Sequence, residues 1–189
     1  MKKLLFALLC SFALLFSLSS TADAKTILAK KASDYTINTK IYKKAYVKSF
    51  GKYPLCGKKN SMLTFVGNKS MSNLDCYKSY SYYYLIVGNN LRFGIDGSDF
   101  VLAGFPFPLA KGKSRVQNYS YSESLEGKSH IYITATKLKK YKTKAGTFKN
   151  VLKIKQSNSY YYLAKNRGII KQTTLKGKTI FEITKFVKK

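Results

Sequence analysis

Acidic residues and histidine are scarce in this chain, and tryptophan is absent. Eight Asp and Glu residues stand against 35 Lys and Arg residues, for a formal net charge of +27. The single histidine, His130, has no G-x-S-x-G nucleophile motif to accompany it. The chain also lacks the glycine-rich motifs that bind nucleotide phosphates. These absences predict a protein that is not an enzyme and that needs no cofactor.

The few carboxylates do not form an obvious site. Glycoside hydrolysis needs two placed carboxylates, and the close pairs here are Glu123 with Glu126 and Asp96 with Asp99. The first pair fits a polar loop. The second fits a turn, where Asp and Gly are favoured, and has too few oxygen ligands for a calcium loop. No metal site is expected.

Long apolar runs are confined to the start of the chain. Leu4–Leu18 carries no charge and is about 15 residues long, short of the roughly 20 that span a bilayer. Two lysines precede it, and the small residues Ala22 and Ala24 follow it, which is the layout of a secretory signal peptide. An uncleaved membrane anchor is the alternative. We expect a signal peptide over 1–24 and a single secreted, extracellular domain over 25–189.

The cysteines are few, and two of the three would remain after export. Cys56 and Cys76 enclose a loop of 19 residues. Cysteine pairs outside the cytoplasm are usually oxidised, which predicts a Cys56–Cys76 disulfide. Two free thiols or half of a metal site are the alternatives, although no further Cys or His stands near to complete a metal shell.

The positive charge is almost entirely lysine, with arginine only at Arg92, Arg115 and Arg167. Loss of residues 1–24 would remove two lysines and one aspartate, leaving a net charge of +26. Lysine is a hydrated point charge, so this surface predicts diffuse, salt-sensitive attraction to polyanions. Solubility alone is the alternative. The candidate polyanion-binding residues are five lysines within one short segment: Lys137, Lys139, Lys140, Lys142 and Lys144.

Short runs rich in Tyr, Ile, Val, Thr and Phe alternate with clusters of Gly, Asn, Asp and Lys, a pattern typical of antiparallel β proteins. The alternation in 131–136 and 148–155 predicts that Ile133 and Leu152 face the core. Two prolines in Phe105–Leu109 predict a crossover between two halves of one sheet system. A short helix is expected over Lys69–Lys78. The predicted strands are Tyr35–Thr39, Ile41–Phe50, Met62–Val66, Tyr80–Val87, Leu91–Ile95, Asp99–Ala103, Ser129–Lys137, Lys139–Thr143, Thr147–Lys155, Ser159–Ala164, Gly168–Thr173 and Thr179–Val187.

Three segments of the second half carry recognisable motifs. Ala145–Val151 fits a-G-t-F-x-n-v, Tyr161–Lys171 fits Y-Y-a-x-x-x-G-l-v-k, and Pro108–Ser114 fits P-L-x-x-G-x-S. The chain thereby resembles exported bacterial β-sheet proteins of unassigned function. The resemblance implies a curled antiparallel sheet, a half-barrel or open barrel similar to periplasmic lipoprotein carriers. Arg115 and Arg167 depart from the pattern, which usually has Trp and a small or aliphatic residue there.

Tyrosines cluster in two predicted strands. Tyrosine combines an apolar ring with a polar tip, so Tyr82, Tyr84, Tyr160 and Tyr162 are candidates for a ligand-binding face on a curled sheet. The alternative is that tyrosine is simply a good strand former.

The sequence predicts an all-β, non-enzymatic protein that is associated with the bacterial cell surface or wall and has a binding or structural role. Its expected partner is an anionic cell-wall polymer or an anionic lipid surface. The alternative function is a carrier that holds a small apolar or amphiphilic molecule in the hollow of the sheet. Nucleic acid is not favoured as a partner, because no nucleic-acid-binding module is recognisable.

Overall fold

The computed structural model describes residues 25–49, 60–66, 69–73, 81–95, 101–117 and 130–189. The expected signal peptide over 1–24 lies outside the described residues, as do Cys56 and Cys76. Cleavage after Ala24 and the disulfide therefore stay predictions. Four acidic residues considered above also lie outside: Asp96, Asp99, Glu123 and Glu126.

The described residues are almost entirely β-structure, which confirms the predicted fold class. A 3-10 helix over Ala32–Tyr35 is the one helical element among them. None of the described residues belongs to a helix long and apolar enough to cross a membrane. The strands are β1 Ile27–Ala29, β2 Tyr42–Ser49, β3 Asn60–Val66, β4 Lys69–Asn73, β5 Ser81–Val87, β6 Asn90–Ile95, β7 Val101–Pro106, β8 Leu109–Ala110, β9 Gly112–Gln117, β10 His130–Thr143, β11 Gly146–Gln156, β12 Ser159–Ala164, β13 Gly168–Thr174 and β14 Thr179–Lys188.

Twelve of these strands form one antiparallel sheet in the order β7-β6-β5-β4-β3-β2-β14-β13-β12-β11-β10-β9. Each half of the chain is a meander in which neighbours in sequence are neighbours in space. The two meanders join where β2 pairs with β14, as in the registers Ala45 with Phe186 and Val47 with Ile183. The remaining strands, β1 and β8, pair with each other. The chain passes from the first meander to the second between Pro106, where β7 ends, and Gly112, where β9 begins.

The connectivity requires the sheet to curl. A flat sheet of twelve strands would place its edges about 50 Å apart. The edge strands β7 and β9 are joined by residues 107–111 alone, which can span at most about 22 Å between Pro106 and Gly112. The open sheet therefore bends until its two edges approach each other.

The N-terminal segment 25–41 lies across one end of the curled sheet. The side chain of Asn89, in the β5–β6 turn, accepts a hydrogen bond from the Ala32 amide at 3.0 Å and donates one to the Lys30 carbonyl at 2.9 Å. The ring of Tyr35 stacks on Phe107 with centroids 5.6 Å apart. These contacts close the end of the sheet and bury apolar residues of the segment.

The predicted strand Tyr35–Thr39 is wrong. Tyr35 ends the 3-10 helix, and Ile37 makes only an isolated bridge to Arg167. Tyr35 and Ile37 are both buried, so their alternation reflects packing against the end of the sheet instead of a place within it.

Other predicted boundaries change as well. The helix expected over Lys69–Lys78 is wrong where it is described, because β4 (Lys69–Asn73) pairs with both β3 and β5. The predicted strands Ser129–Lys137 and Lys139–Thr143 are one continuous strand, β10. The sequence did not indicate β1, β8 and β9.

The inner face of the sheet is packed with apolar side chains. Ile133, Leu152 and Ile154 are buried as their alternation predicts. Phe105 of β7 meets Tyr161 of β12 edge to face, with centroids 5.3 Å apart. The ring contact joins strands from the two meanders, so the described inner face forms a shared core.

A second apolar cluster, the outer cluster, lies on the opposite face of β11–β13. Its buried members are Phe148, Val151, Tyr162, Ala164 and Ile170. The long β10–β11 hairpin covers this face, and Leu138 and Tyr141 of β10 also pack there. Leu138 and Tyr141 are three residues apart, so strict alternation is interrupted between them. The interruption lies opposite Asn150, whose φ is +54°.

Alkaline pH should destabilise the core through Tyr161. Burial raises the pKa of Tyr161 to about 12, against about 10 in an unfolded chain. Above about pH 10 the unfolded state therefore binds fewer protons, and the free energy of unfolding falls as pH rises. We expect Tyr161→Phe to make this fall smaller. Urea denaturation below and above pH 10 measures the free energy of unfolding of each protein. Tyr132→Phe, at a ring that is 59% exposed, is the control and should leave the fall unchanged. Equal pH dependence in all three proteins would contradict the assignment.

Candidate anion-binding pocket

A pocket of about 740 Å³ lies where three parts of the second half meet. They are the tip of the β10–β11 hairpin, the β12–β13 turn and the end of β14, with Tyr42 of β2 beside them. The volume is in the range of sites that bind drug-sized molecules. We refer to it as the basic pocket.

A buried carboxylate positions the hairpin tip beside this pocket. Glu182 of β14 accepts a hydrogen bond from the Lys144 amide at 3.1 Å. It also forms an ion pair with Lys171, whose Nζ lies 3.5 Å from the carboxylate. The turn itself is closed locally, since Thr143 Oγ1 accepts a hydrogen bond from the Ala145 amide at 3.1 Å. The hairpin is thus fixed to β14 by contacts that local sequence does not reveal.

The pocket is strongly positive. It is lined by six cationic side chains: Lys144, Lys149, Lys165, Arg167, Lys185 and Lys188. No carboxylate is part of the lining. Among the described residues the acidic side chains are Asp34 and Glu182, and of the lining cations only Lys165 pairs with one, to Asp34 at 3.2 Å. The arrangement suits a ligand that brings several negative charges.

Aromatic rings form the base of the pocket. Tyr42 and Phe186 lie with centroids 5.0 Å apart, and Phe148 meets Phe186 edge to face at 6.4 Å. Tyr42 and Phe148 are buried, and Phe186 is partly buried. The Arg167 guanidinium lies over all three rings, which links the base of the pocket to its charge.

The five lysines predicted to bind polyanions take different positions. Lys144 lines the basic pocket. Lys137 Nζ donates a hydrogen bond to the Leu28 carbonyl at 2.6 Å, which ties β10 to the N-terminal segment. Lys139, Lys140 and Lys142 are exposed along β10, and none of them is part of the pocket lining.

The candidate tyrosines whose side chains are described, Tyr84, Tyr160 and Tyr162, do not share one face of the sheet. Tyr84 lies in the inner core, where its hydroxyl accepts a hydrogen bond from the Ile169 amide at 2.9 Å. Tyr162 belongs to the outer cluster and stacks on Tyr141 at 4.3 Å. Tyr160 packs against that cluster with Lys153 Nζ 4.2 Å from its ring centroid. The side chain of Tyr82 lies outside the described part.

The histidine of the chain is not among the residues that line the basic pocket. His130 is exposed at the start of β10. No group of three or more His, Cys, Asp or Glu side chains that could hold a metal occurs in the described part of the chain. The chemistry that the described pocket supports is anion binding.

Sequence reasoning missed most of the pocket. Lys149, Lys165, Lys185 and Lys188 lie in three separate elements, and only the packing of the hairpin tip on β14 gathers them. One signal was present in the sequence: Arg167 replaces the small or aliphatic residue that the resemblance leads one to expect.

The turn glycines in the motifs have the geometry predicted for hairpins. Gly146 has φ +124° and follows a two-residue turn, and Gly168 has φ +66° and follows a three-residue turn; both turns join antiparallel strands. Phe148 is buried just beyond the first turn, as predicted.

In comparisons with known proteins, no protein-family model, curated protein or solved structure matches this chain.

Proposed function

We propose that this protein is an exported, non-enzymatic binding protein that attaches to a polyanionic polymer of the bacterial cell envelope through the basic pocket. The observation that carries the proposal is the gathering of six cations around one concavity without a lining carboxylate. A net charge of +26 after loss of residues 1–24 adds long-range attraction to polyanions. The signal-peptide layout of residues 1–24 supports export.

A polymer fits the pocket better than a lipid surface does. Lining lysines supply charge around a concavity, which a flexible chain segment can enter. Insertion into a bilayer would need apolar side chains that project from the surface. The rings of the pocket lie instead at its base, with Tyr42 and Phe148 only 4% and 7% exposed.

The inner face of the sheet favours a binding protein over a carrier. A carrier would need an apolar cavity of several hundred Å³. Leu91, Phe105 and Leu163 are fully buried on the described inner face, where a carried molecule would have to sit. The basic pocket is lined by six cationic residues, which do not suit an apolar molecule.

Removing pocket lysines should weaken polymer binding more than removing lysines elsewhere. We expect the triple variant Lys149→Gln, Lys185→Gln, Lys188→Gln to bind polyphosphate roughly tenfold more weakly, since three contacts of about 0.5 kcal/mol each sum to about 1.5 kcal/mol. The matched control replaces Lys139, Lys140 and Lys142 with glutamine, which removes the same charge from the exposed face of β10. Fluorescence titration of polyphosphate at two salt concentrations measures both.

Equal losses in the two triple variants would contradict binding through the pocket. Binding that persists at about 1 M salt, where the screening length is about 3 Å, would contradict charge-driven attachment altogether. Retention on anionic vesicles but not on polyphosphate or purified cell walls would replace the polymer with a lipid surface. Uptake of a fatty acid without binding of any polyanion would instead support the carrier.

A further inference from the structure

Arg167 differs from the lysines of the pocket because its backbone is held on both sides. It stands between Asn166 and Gly168, whose φ values are +63° and +66°. The Asn166 amide donates to the Asp34 carbonyl at 2.8 Å, and the Asn38 amide donates to the Asn166 carbonyl at 3.0 Å. The N-terminal segment therefore fixes the turn from which Arg167 extends.

The side chain of Arg167 is held as well. Its guanidinium carbon lies 5.2 Å from the Tyr42 ring centroid, 5.4 Å from that of Phe148 and 6.0 Å from that of Phe186. Cations within about 6 Å of an aromatic face are attracted to it. Arg167 is only partly buried, so the group remains accessible from the pocket that it lines. One cation of the pocket is thus placed in advance, whereas lysine ammonium groups sit on flexible stems.

A guanidinium placed in advance can recognise shape and not only charge. Its parallel N–H groups match two oxygens of one phosphate or carboxylate, whereas an ammonium acts as a point charge. We propose that Arg167 is the specificity-determining residue of the basic pocket and binds a single oxyanion group of the polymer through two hydrogen bonds. This inference rests on the proposed function, in which the lysines supply the diffuse attraction. A phosphodiester or a carboxylate on the polymer would provide the same pair of oxygens.

Competition between anions tests the proposal. Polyphosphate is bound to the purified protein and displaced by sodium phosphate or by sodium chloride at matched ionic strength. Screening alone depends on ionic strength and treats the two salts alike. We expect phosphate to displace the polymer at about tenfold lower ionic strength than chloride does. One charge-assisted hydrogen bond can account for a difference of this size. Acetate, compared in the same way, distinguishes a carboxylate preference from a phosphate preference.

Two variants assign the preference to Arg167. Arg167→Lys keeps the charge and should still bind polyphosphate, but it should lose the advantage of phosphate over chloride. Phe186→Leu keeps the arginine, removes one of the rings that hold it, and should reduce the same advantage. The control Lys185→Gln should weaken polymer binding, so both salts should displace the polymer at lower ionic strength while their ratio stays unchanged.

The outcomes separate this inference from the proposed function. If wild-type protein binds polyphosphate and both Arg167→Lys and Phe186→Leu retain the full phosphate advantage, Arg167 is not the specificity determinant and the basic pocket stands. If wild-type protein shows no advantage of phosphate or acetate over chloride, the pocket binds by diffuse charge alone and the inference is overturned. If wild-type protein fails to bind polyphosphate and cell walls, the proposed function fails and the inference falls with it.

Discussion

Replacing Gly168 with alanine should lower the free energy of unfolding by about 3 kcal/mol, the sum of a strained backbone and an overpacked core. Gly168 has φ +66°, a conformation that L residues seldom adopt. A Cβ atom added there would lie 2.5 Å from the Tyr84 hydroxyl oxygen and 2.6 Å from the ring carbon that bears it. Tyr84 cannot withdraw easily, because it is buried and hydrogen-bonded to the Ile169 amide.

The β5–β6 turn offers a matched control. Gly88 has a similar φ of +59°, but no atom lies within 4 Å of an added Cβ. Gly88→Ala should therefore cost only the backbone strain, about 1 kcal/mol. Urea denaturation of both variants separates the two contributions. Equal losses would show that the contact with Tyr84 adds nothing.

Replacing Glu182 with glutamine should lower the free energy of unfolding by about 3 kcal/mol, the cost of breaking a buried ion pair. The side chains of Glu182 and Lys171 are 7% and 18% exposed, so Lys171 would be left partly buried without its counter-charge. The Lys144 amide would lose its carboxylate acceptor at the hairpin tip. Because this contact holds one wall of the basic pocket, the variant should also bind polyphosphate more weakly.

The exposed ion pair on the other side of the pocket is the comparison. Lys165 and Asp34 are 63% and 40% exposed, and exposed pairs contribute about 0.5 kcal/mol or less. Asp34→Asn should therefore leave thermal unfolding nearly unchanged. A loss for Glu182→Gln no larger than that for Asp34→Asn would mean that Glu182 does not anchor the hairpin.

Most strands of this protein follow from local patterns. In β11, Leu152 and Ile154 alternate with Lys153 and Lys155, and the structure buries the first pair. Turns such as the one before Gly168 are marked by residues that tolerate positive φ, here Asn166 and Gly168 itself. Period-two hydrophobicity and turn chemistry are local properties, so a single sequence reveals them.

The basic pocket depends on properties that are not local. Phe148 and Phe186 come together only because the β10–β11 hairpin curls over the outer face and Glu182 holds its tip. The N-terminal segment illustrates the same limit, since Tyr35 and Ile37 alternate like strand residues but pack on the end of the sheet. Lysines that are distant in sequence therefore converge without a motif. The lysine-rich segment 137–144 contains only one of the residues that line the pocket, Lys144.

The most direct test of polymer binding through the basic pocket is to locate the bound polymer by NMR. Backbone amide shifts of the purified, isotope-labelled protein are followed while polyphosphate is added. The largest changes should fall in three stretches that line the pocket, 144–149, 165–167 and 184–188. Changes centred on the exposed lysines of β10 at 139–142, or spread evenly over the lysines of the chain, would contradict the account.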